Sequence, residues 1–227
     1  RRRFEMALLG LLSDVHATAG PVREALLLFE QAGVDQILCA GDIAGYHDDL
    51  EKTVALLADS SVRAVRGNHD LRYLDRCGEN AEDRVSSYLR QLPAVIDIEI
   101  AGKRVFMVHA EPPDACEGGG IRLLDQDGGV RPERAALWTQ QLAGCDYDVL
   151  VVGHSHQVFA EQLGNTLVVN PGSTVFNHSC AILHLPEMTV QLLPLSGQLI
   201  RRTWNWAEYM AGKSQPGAAD TVSKGAS

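Results

Sequence analysis

Ala7-Leu8-Leu9-Gly10-Leu11-Leu12-Ser13-Asp14-Val15-His16 is an apolar run of one strand's length that ends in an acid and an imidazole two residues apart. Four further runs repeat the arrangement. Gln36 to Ala40 precedes Asp42, Val62 to Val65 precedes Asn68 and His69, Arg104 to Val108 precedes His109, and Val149 to Val152 precedes His154 and His156. Oxygen and nitrogen ligand types thus stand where buried strands end. In an open α/β sheet the crevice beyond the carboxyl ends of the strands binds ligands, so five such ends can converge on one place.

Working outward, the chain alternates strand and helix through its first half. Pro21 to Ala32 carries a helical apolar stripe of Val22, Ala25, Leu26 and Phe29, with Gly20-Pro21 opening the helix. Ile37 to Ala40 is extended, and Leu50 to Ala58 is a second helix turning Val54, Leu57 and Ala58 toward a sheet. Alternation of this kind implies parallel pairing with right-handed crossovers. The second half changes to extended runs at Ala94 to Ile100, Lys103 to Val108, Val149 to Val152, Val158 to Glu161, Thr166 to Val169, Ala181 to Leu185 and Thr189 to Leu195. Ala101-Gly102, Gly164-Asn165 and Pro186-Glu187 punctuate them as hairpin turns, and antiparallel pairing is expected there. The fold class read from this pattern is α/β, a four-layer α-β-β-α sandwich of two mixed sheets flanked by helices. Glu111 to Pro132, rich in Gly, Pro and Asp, reads as a loop over the mouth of the site, too polar for core.

With 227 residues and 45% hydrophobic content the chain can bury one substantial core, so a single catalytic domain over 1–210 is expected. The remainder, 211–227, has almost no apolar anchor and reads as a disordered tail. A net charge of -9 argues against tracking a nucleic-acid backbone, which needs clustered Lys and Arg. Only Arg1 to Arg3 is strongly basic, and it reads as a solvated terminus. Arg1 to Phe4, the following apolar run and Ala17-Thr18-Ala19 mimic a twin-arginine export signal, but cleavage after Ala19 would discard Asp14 and His16. No window approaches the roughly 20 apolar residues that span a bilayer, so no membrane partner is expected. The five cysteines are odd in number and scattered, which fits free thiols in a reducing, cytoplasmic setting, with Cys39 and Cys180 packed in the core.

Each polar residue taken singly has a dull explanation as a helix cap, a turn or a satisfied side chain. The conjunction carries the information: D-x-H, then G-D, then G-N-H-D, then His109 after an apolar run, then G-H-S-H. Asp14, Asp42 and Asn68 lie roughly 26 to 28 residues apart, about one strand plus one helix. Carboxylate and amide oxygens mixed with imidazole suit Mn, Fe, Zn, Co or Ni ions rather than a thiolate site. Two divalent ions against the two carboxylates Asp14 and Asp42 leave about two positive charges, which attract an anionic phosphate. One Asp can bridge two such ions, which then acidify a shared water and hold phosphoryl oxygens for in-line attack.

These motifs resemble those of the calcineurin-like metallophosphoesterase superfamily, specifically its small, uncapped prokaryotic phosphodiesterases. The likeness runs from about Leu8 to Thr174 through Asp14-x-His16, Gly41-Asp42-x-x-Gly45, Gly67-Asn68-His69-Asp70, His109, Gly153-His154-Ser155-His156 and Asn170-Pro171-Gly172-Ser173. It implies that Asp14, His16, Asp42 and His156 hold one metal, and that Asp42, as the bridge, holds a second with Asn68, His109 and His154. It further implies that His69 faces the phosphate as a catalytic group with Asp70 orienting its imidazole, and that a metal-bridging hydroxide attacks a small phosphodiester or nucleotide. Asn170 to Ser173 reads as a turn buttressing the site. The likeness weakens at the periphery. Tyr46 is followed by His47-Asp48-Asp49 where the family often has Gly-Pro, His109 by Ala110 rather than Gly, and Ser173 by Thr174 to His178 rather than a Pro-Arg pair. His47 and His178 could reach a substrate, although solvated surface is the reading preferred for both. The alternatives are a phosphomonoesterase, a non-catalytic scaffold similar to the retromer subunit of the superfamily, and a nuclease.

Overall fold

The computed structural model describes residues 6–78, 82–206 and 209; Arg1 to Arg3 and the tail expected at 211–227 lie outside the described residues. In chain order the elements are β1 (Ala7–Leu12), α1 (Ala19–Ala32), β2 (Gln36–Cys39), α2 (Leu50–Asp59), β3 (Arg63–Ala64), α3 (Asn68–Cys77) and α4 (Arg84–Gln91). There follow β4 (Val95–Ile100), β5 (Lys103–Val108), α5 (Pro132–Leu142), β6 (Val149–Val151), β7 (Phe159–Leu163), β8 (Thr166–Asn170), β9 (Ser179–Leu185) and β10 (Thr189–Pro194). They form two five-stranded sheets, ordered β10-β9-β1-β2-β3 and β4-β5-β6-β8-β7.

The period-two geometry of β1 explains the layering. Leu9 and Leu11 point to the seam between the sheets, where they meet Met107, Val149, Val151 and Val169 of the second sheet. Leu12 points the other way, into a layer with Val22 and Phe29 of α1, Val54 and Leu57 of α2 and Leu89 of α4. A third layer packs Trp138 and Leu142 of α5 on Leu150, Phe159 and Val168. The result is the four-layer mixed sandwich anticipated above. At Gly10 a Cβ would come within 2.7 Å of the Phe29 ring, so the missing side chain is what lets α1 lie close on the sheet.

Several local expectations need correction. β5, β6 and β8 pair parallel to one another, because α5 supplies the crossover between β5 and β6; only the hairpins β4-β5, β7-β8 and β9-β10 and the β1-β9 pair are antiparallel. Ala58 is exposed, so the buried stripe of α2 is Thr53, Val54 and Leu57. The segment after His109 is not wholly polar: Ile121, Leu123 and Leu124 are buried against the second sheet. His178 is half-buried rather than solvated, whereas His47 is exposed. Among the described residues no helix is long and apolar enough to cross a membrane.

Candidate metal centre

The carboxyl ends of β1, β2 and β3 from one sheet meet those of β5, β6 and β8 from the other, and a parallel bridge between Ser13 and Ser173 joins the two sets. Asp14, His16, Asp42, Asn68, His109 and His156 are all buried there, and His154 is half-buried. The turns that present them are tight. Asp14, His16, Asp42, His154 and His156 all have positive φ, between 46° and 62°. That left-handed region is uncommon outside glycine, although Asp and His tolerate it better than most residues, and such outliers cluster where surrounding structure holds them for a task.

Three imidazoles are anchored in the same manner. His16 Nδ1 donates to the Ala44 carbonyl (3.3 Å), His109 Nδ1 to the Ala40 carbonyl (2.6 Å) and His154 Nε2 to the Gly118 carbonyl (2.9 Å). A carbonyl only accepts, so each of these nitrogens carries a proton, and it is the other nitrogen that can offer a lone pair once it is unprotonated. Those other nitrogens point into shared space. His109 Nε2 and His154 Nδ1 both reach Asn68 Oδ1, at 3.2 and 3.0 Å, and His109 Nε2 is 3.4 Å from Asp42 Oδ1. His16 Nε2 faces His156 Nε2 at 3.1 Å, and His156 Nε2 stands 3.3 Å from Asp14 Oδ1. Among the described residues, His156 Nδ1 is buried without a hydrogen-bond partner. Two ring nitrogens nose to nose beside a buried carboxylate fit a cation. So does an amide oxygen shared by two imidazoles.

The carboxylates are held as firmly. Asp14 Oδ2 accepts from Ser13 Oγ (2.6 Å), both its oxygens accept from His154 N, and its carbonyl accepts from Ser173 Oγ (2.6 Å). Asn170 Nδ2 donates to the Gly153 carbonyl (2.9 Å) and to Ser155 Oγ (3.0 Å), so Asn170 and Ser173 brace the turns that carry the candidate ligands. Asp42 Oδ1 accepts from His69 N (2.8 Å). Gly67 lies against Asp42 so closely that a Cβ there would overlap the carboxylate. Burial alone would raise both carboxyl groups, but the neighbouring histidines outweigh it: His156 holds Asp14 far below the usual range, and His109 pulls Asp42 down to about 2. Burial pushes His16 down to about 3. For His109 burial acts the same way, yet Asp42 overrides it and raises the imidazole to about 10. In the absence of ions a proton on His109 does the work of a cation.

His69 and Asp70 open α3. The ring of His69 is half-buried beside His16, and burial lowers its pKa. Asp70 does not orient that ring, and the expectation is corrected. Its Oδ2 accepts from Gly67 N and its Oδ1 from Ala44 N, at 2.8 and 2.7 Å, so this fully buried carboxylate ties the turn after β3 to the turn after β2. As the third residue of α3 it reaches back to cap the helix, which satisfies an amide that the helix leaves unpaired. The partner of the His69 ring is Tyr46, whose hydroxyl lies 2.9 Å from Nε2. Sequence reasoning passed over Tyr46, Ser13, the aromatic residues Phe176 and Trp206 that stand beside His156, and Trp204, which packs on Phe176. Only Tyr46 and Ser13 left a trace, as immediate neighbours of the motifs.

The model of the calcineurin-like phosphoesterase superfamily domain matches residues 7–187, and the chain belongs to that superfamily of hydrolases. Among curated relatives, a probable metallophosphoesterase of Methanothermobacter thermautotrophicus is 27% identical over 194 residues, 84% of this chain and 87% of its own length. A phosphodiesterase of Methanocaldococcus jannaschii is 21% identical over 170 residues, 72% of this chain and 82% of its own. Among solved structures, a metallophosphoesterase from Sphaerobacter thermophilus superposes with a TM-score of 0.62 at 19% identity, covering 90% of this chain and 91% of that one. The superposition shows the shared fold.

Proposed function

We propose that the chain is a dinuclear metal-dependent phosphodiesterase that hydrolyses a small phosphodiester or nucleotide, with its catalytic domain spanning 1–210. The observation that carries this reading is the inward convergence of imidazole nitrogens on two buried carboxylates and the Asn68 amide oxygen, each imidazole but one anchored by a backbone carbonyl. Asp14, His16, Asp42 and His156 would hold one ion and Asp42, Asn68, His109 and His154 the other; Mn, Fe, Zn, Ni and Co all suit these donors. Bound there, the ions would supply Lewis acidity toward the phosphoryl oxygens and an activated water. The relative named as a phosphodiesterase supports a diester over a monoester.

The chain's own residues do the rest. His69, with Nε2 on the open side beside Tyr46, stands where it can donate to a phosphoryl or leaving oxygen, while its backbone amide steadies Asp42. Asp70 keeps the two ligand-bearing turns in register. Free cysteines at all five positions support a reducing, cytoplasmic setting. Turnover of bis(p-nitrophenyl) phosphate after loading with each of the five metals tests the proposal: hydrolysis that disappears in Asp42→Asn is expected. Absence of hydrolysis with every metal, despite full loading, would favour a scaffold.

A further inference from the structure

Beyond β10 the chain returns along the site and is strapped in place. Arg201 N donates to the Asn177 carbonyl (3.0 Å), Val158 N to the Arg202 carbonyl (2.8 Å), and Thr203 Oγ1 to the Gln126 carbonyl (3.0 Å). The strap sets two indoles beside the candidate metal centre. Trp206 lies 5.8 Å from the His156 ring and 4.9 Å from the Tyr46 ring, centroid to centroid. Phe176, buried beneath, stacks on His156 at 5.2 Å and touches Trp204 at 4.7 Å. Tyr46 is 38% exposed and Trp206 half-buried, so these two rings, which touch one another, keep part of their surface accessible beside the candidate ligands.

From Ser155 and Gln157, on either side of His156, a cavity of about 1170 Å³ runs along this strap. Trp204 and Trp206 form one side of it, and Arg122, Arg201 and Arg202 also line it. Asp125 and Asp127 line it too, with Asp125 Oδ1 spent on the amides of Asp127 and Gly129 in its own turn, and Arg131, paired with Glu133, adds a fourth guanidinium. Flat π-surfaces next to guanidinium groups match a ligand with a planar heterocycle at one end and anionic oxygens at the other. A sugar phosphate, a glycerol ester or a headgroup ester has no such planar end. A volume of this size also exceeds what a single phosphate needs.

We propose that Tyr46 and Trp206 form a stacking subsite for a nucleobase, so that the substrate class is a nucleotide phosphoester whose remaining anionic groups face the arginines. The inference rests on the phosphohydrolase reading for its reaction but not for its ligand. Stacking of one base on an aromatic side chain corresponds to about 5- to 150-fold in affinity.

Calorimetric titration of the protein with AMP and with ribose 5-phosphate isolates the base. AMP is expected to bind tighter by a factor in that range, and the ratio should fall toward one in Trp206→Ala while Trp206→Phe retains most of it. In parallel, kcat/KM is compared for the p-nitrophenyl esters of thymidine 5'-phosphate and of ethyl phosphate, which share a leaving group; their ratio should shrink in Trp206→Ala. Equal affinity for AMP and ribose 5-phosphate in the wild type would overturn the subsite. So would a Trp206→Ala variant that weakens both ligands by the same factor, since the ring would then merely support His156. A base preference without turnover of either ester would sink the hydrolase reading alone. Turnover of both esters without a base preference would sink the subsite alone.

Discussion

Replacing Gly67 by alanine is the sharpest test of how the centre is built, because the backbone of Gly67 is already in an ordinary extended conformation that alanine adopts freely (φ -107°, ψ 178°). The whole effect of the new methyl is therefore steric. Its carbon would sit 2.8 Å from Asp42 Cγ and still closer to Asp42 Oδ1 and N, whereas an unstrained contact begins near 3.4 Å, so Cγ must retreat by at least about 0.6 Å and the oxygen and backbone amide by more. Metal sites tolerate displacements of only about 0.2 Å in ligand distance. Gly67→Ala should consequently lose at least about 10- to 100-fold in metal affinity, the penalty seen when the supports of a ligand are disturbed. Overpacking at one position costs about 1–3 kcal/mol, so the protein remains folded. Metal stoichiometry by elemental analysis and affinity by competition with a chromophoric chelator give the first quantity, and urea denaturation gives the second. Full stoichiometry at wild-type affinity would refute the assignment of Asp42 as a shared ligand pressed against this turn.

His69→Ala should keep its metal and lose about 10²- to 10⁴-fold in kcat, the usual yield of a positioned acid–base group; an unchanged kcat in a metal-replete sample would remove His69 from the reaction. Metal uptake should be linked to pH through His109. Its imidazole is raised to about 10 in the metal-free protein, while Asp42 at about 2 and His16 at about 3 have already lost their protons at neutrality. The ion must therefore displace about one proton, and affinity should rise about tenfold per pH unit between pH 5 and 9 through this group. Calorimetry in two buffers of different ionisation heat counts that proton, and a count of zero would contradict the pairing of His109 with Asp42. Phe29→Ala, remote from the ligands, should cost about 3–5 kcal/mol in urea denaturation by emptying the space above Gly10; a loss under 1 kcal/mol would mean that α1 is not keyed there.

How much of this was legible beforehand follows the physics of each element. β1, β2, β5 and β6 announced themselves because buried strands flanked by helices are almost wholly apolar, and their abrupt ends placed six of the seven candidate ligands, while Asn68 follows the shorter β3. α3 and α4 escaped notice: both are short and mostly polar, and their fully buried side chains are Asn68 and Asp70 in one and Val85, Ser86 and Leu89 in the other, so the apolar stripe spans barely two turns. The role of Asp70 was misread because adjacency in sequence suggested adjacency of side chains, whereas successive helical residues point about 100° apart. Nothing local in Arg201 to Trp206 could have shown that a strap 50 residues beyond Ser155 returns to His156. Such placement is decided by long-range hydrogen bonds to Val158, Asn177 and Gln126.

Asp14, Asp42 and Asn68 descend from the first sheet, and His109, His154 and His156 from the second. A cation shared among them would thus be a rivet through the seam of the sandwich, with part of its binding free energy spent in clamping the two halves together. Occupancy and cohesion then become one thermodynamic quantity: a substitution anywhere in the Leu9, Leu11, Met107 and Val151 layer that loosens the seam would reach the ions without touching a ligand.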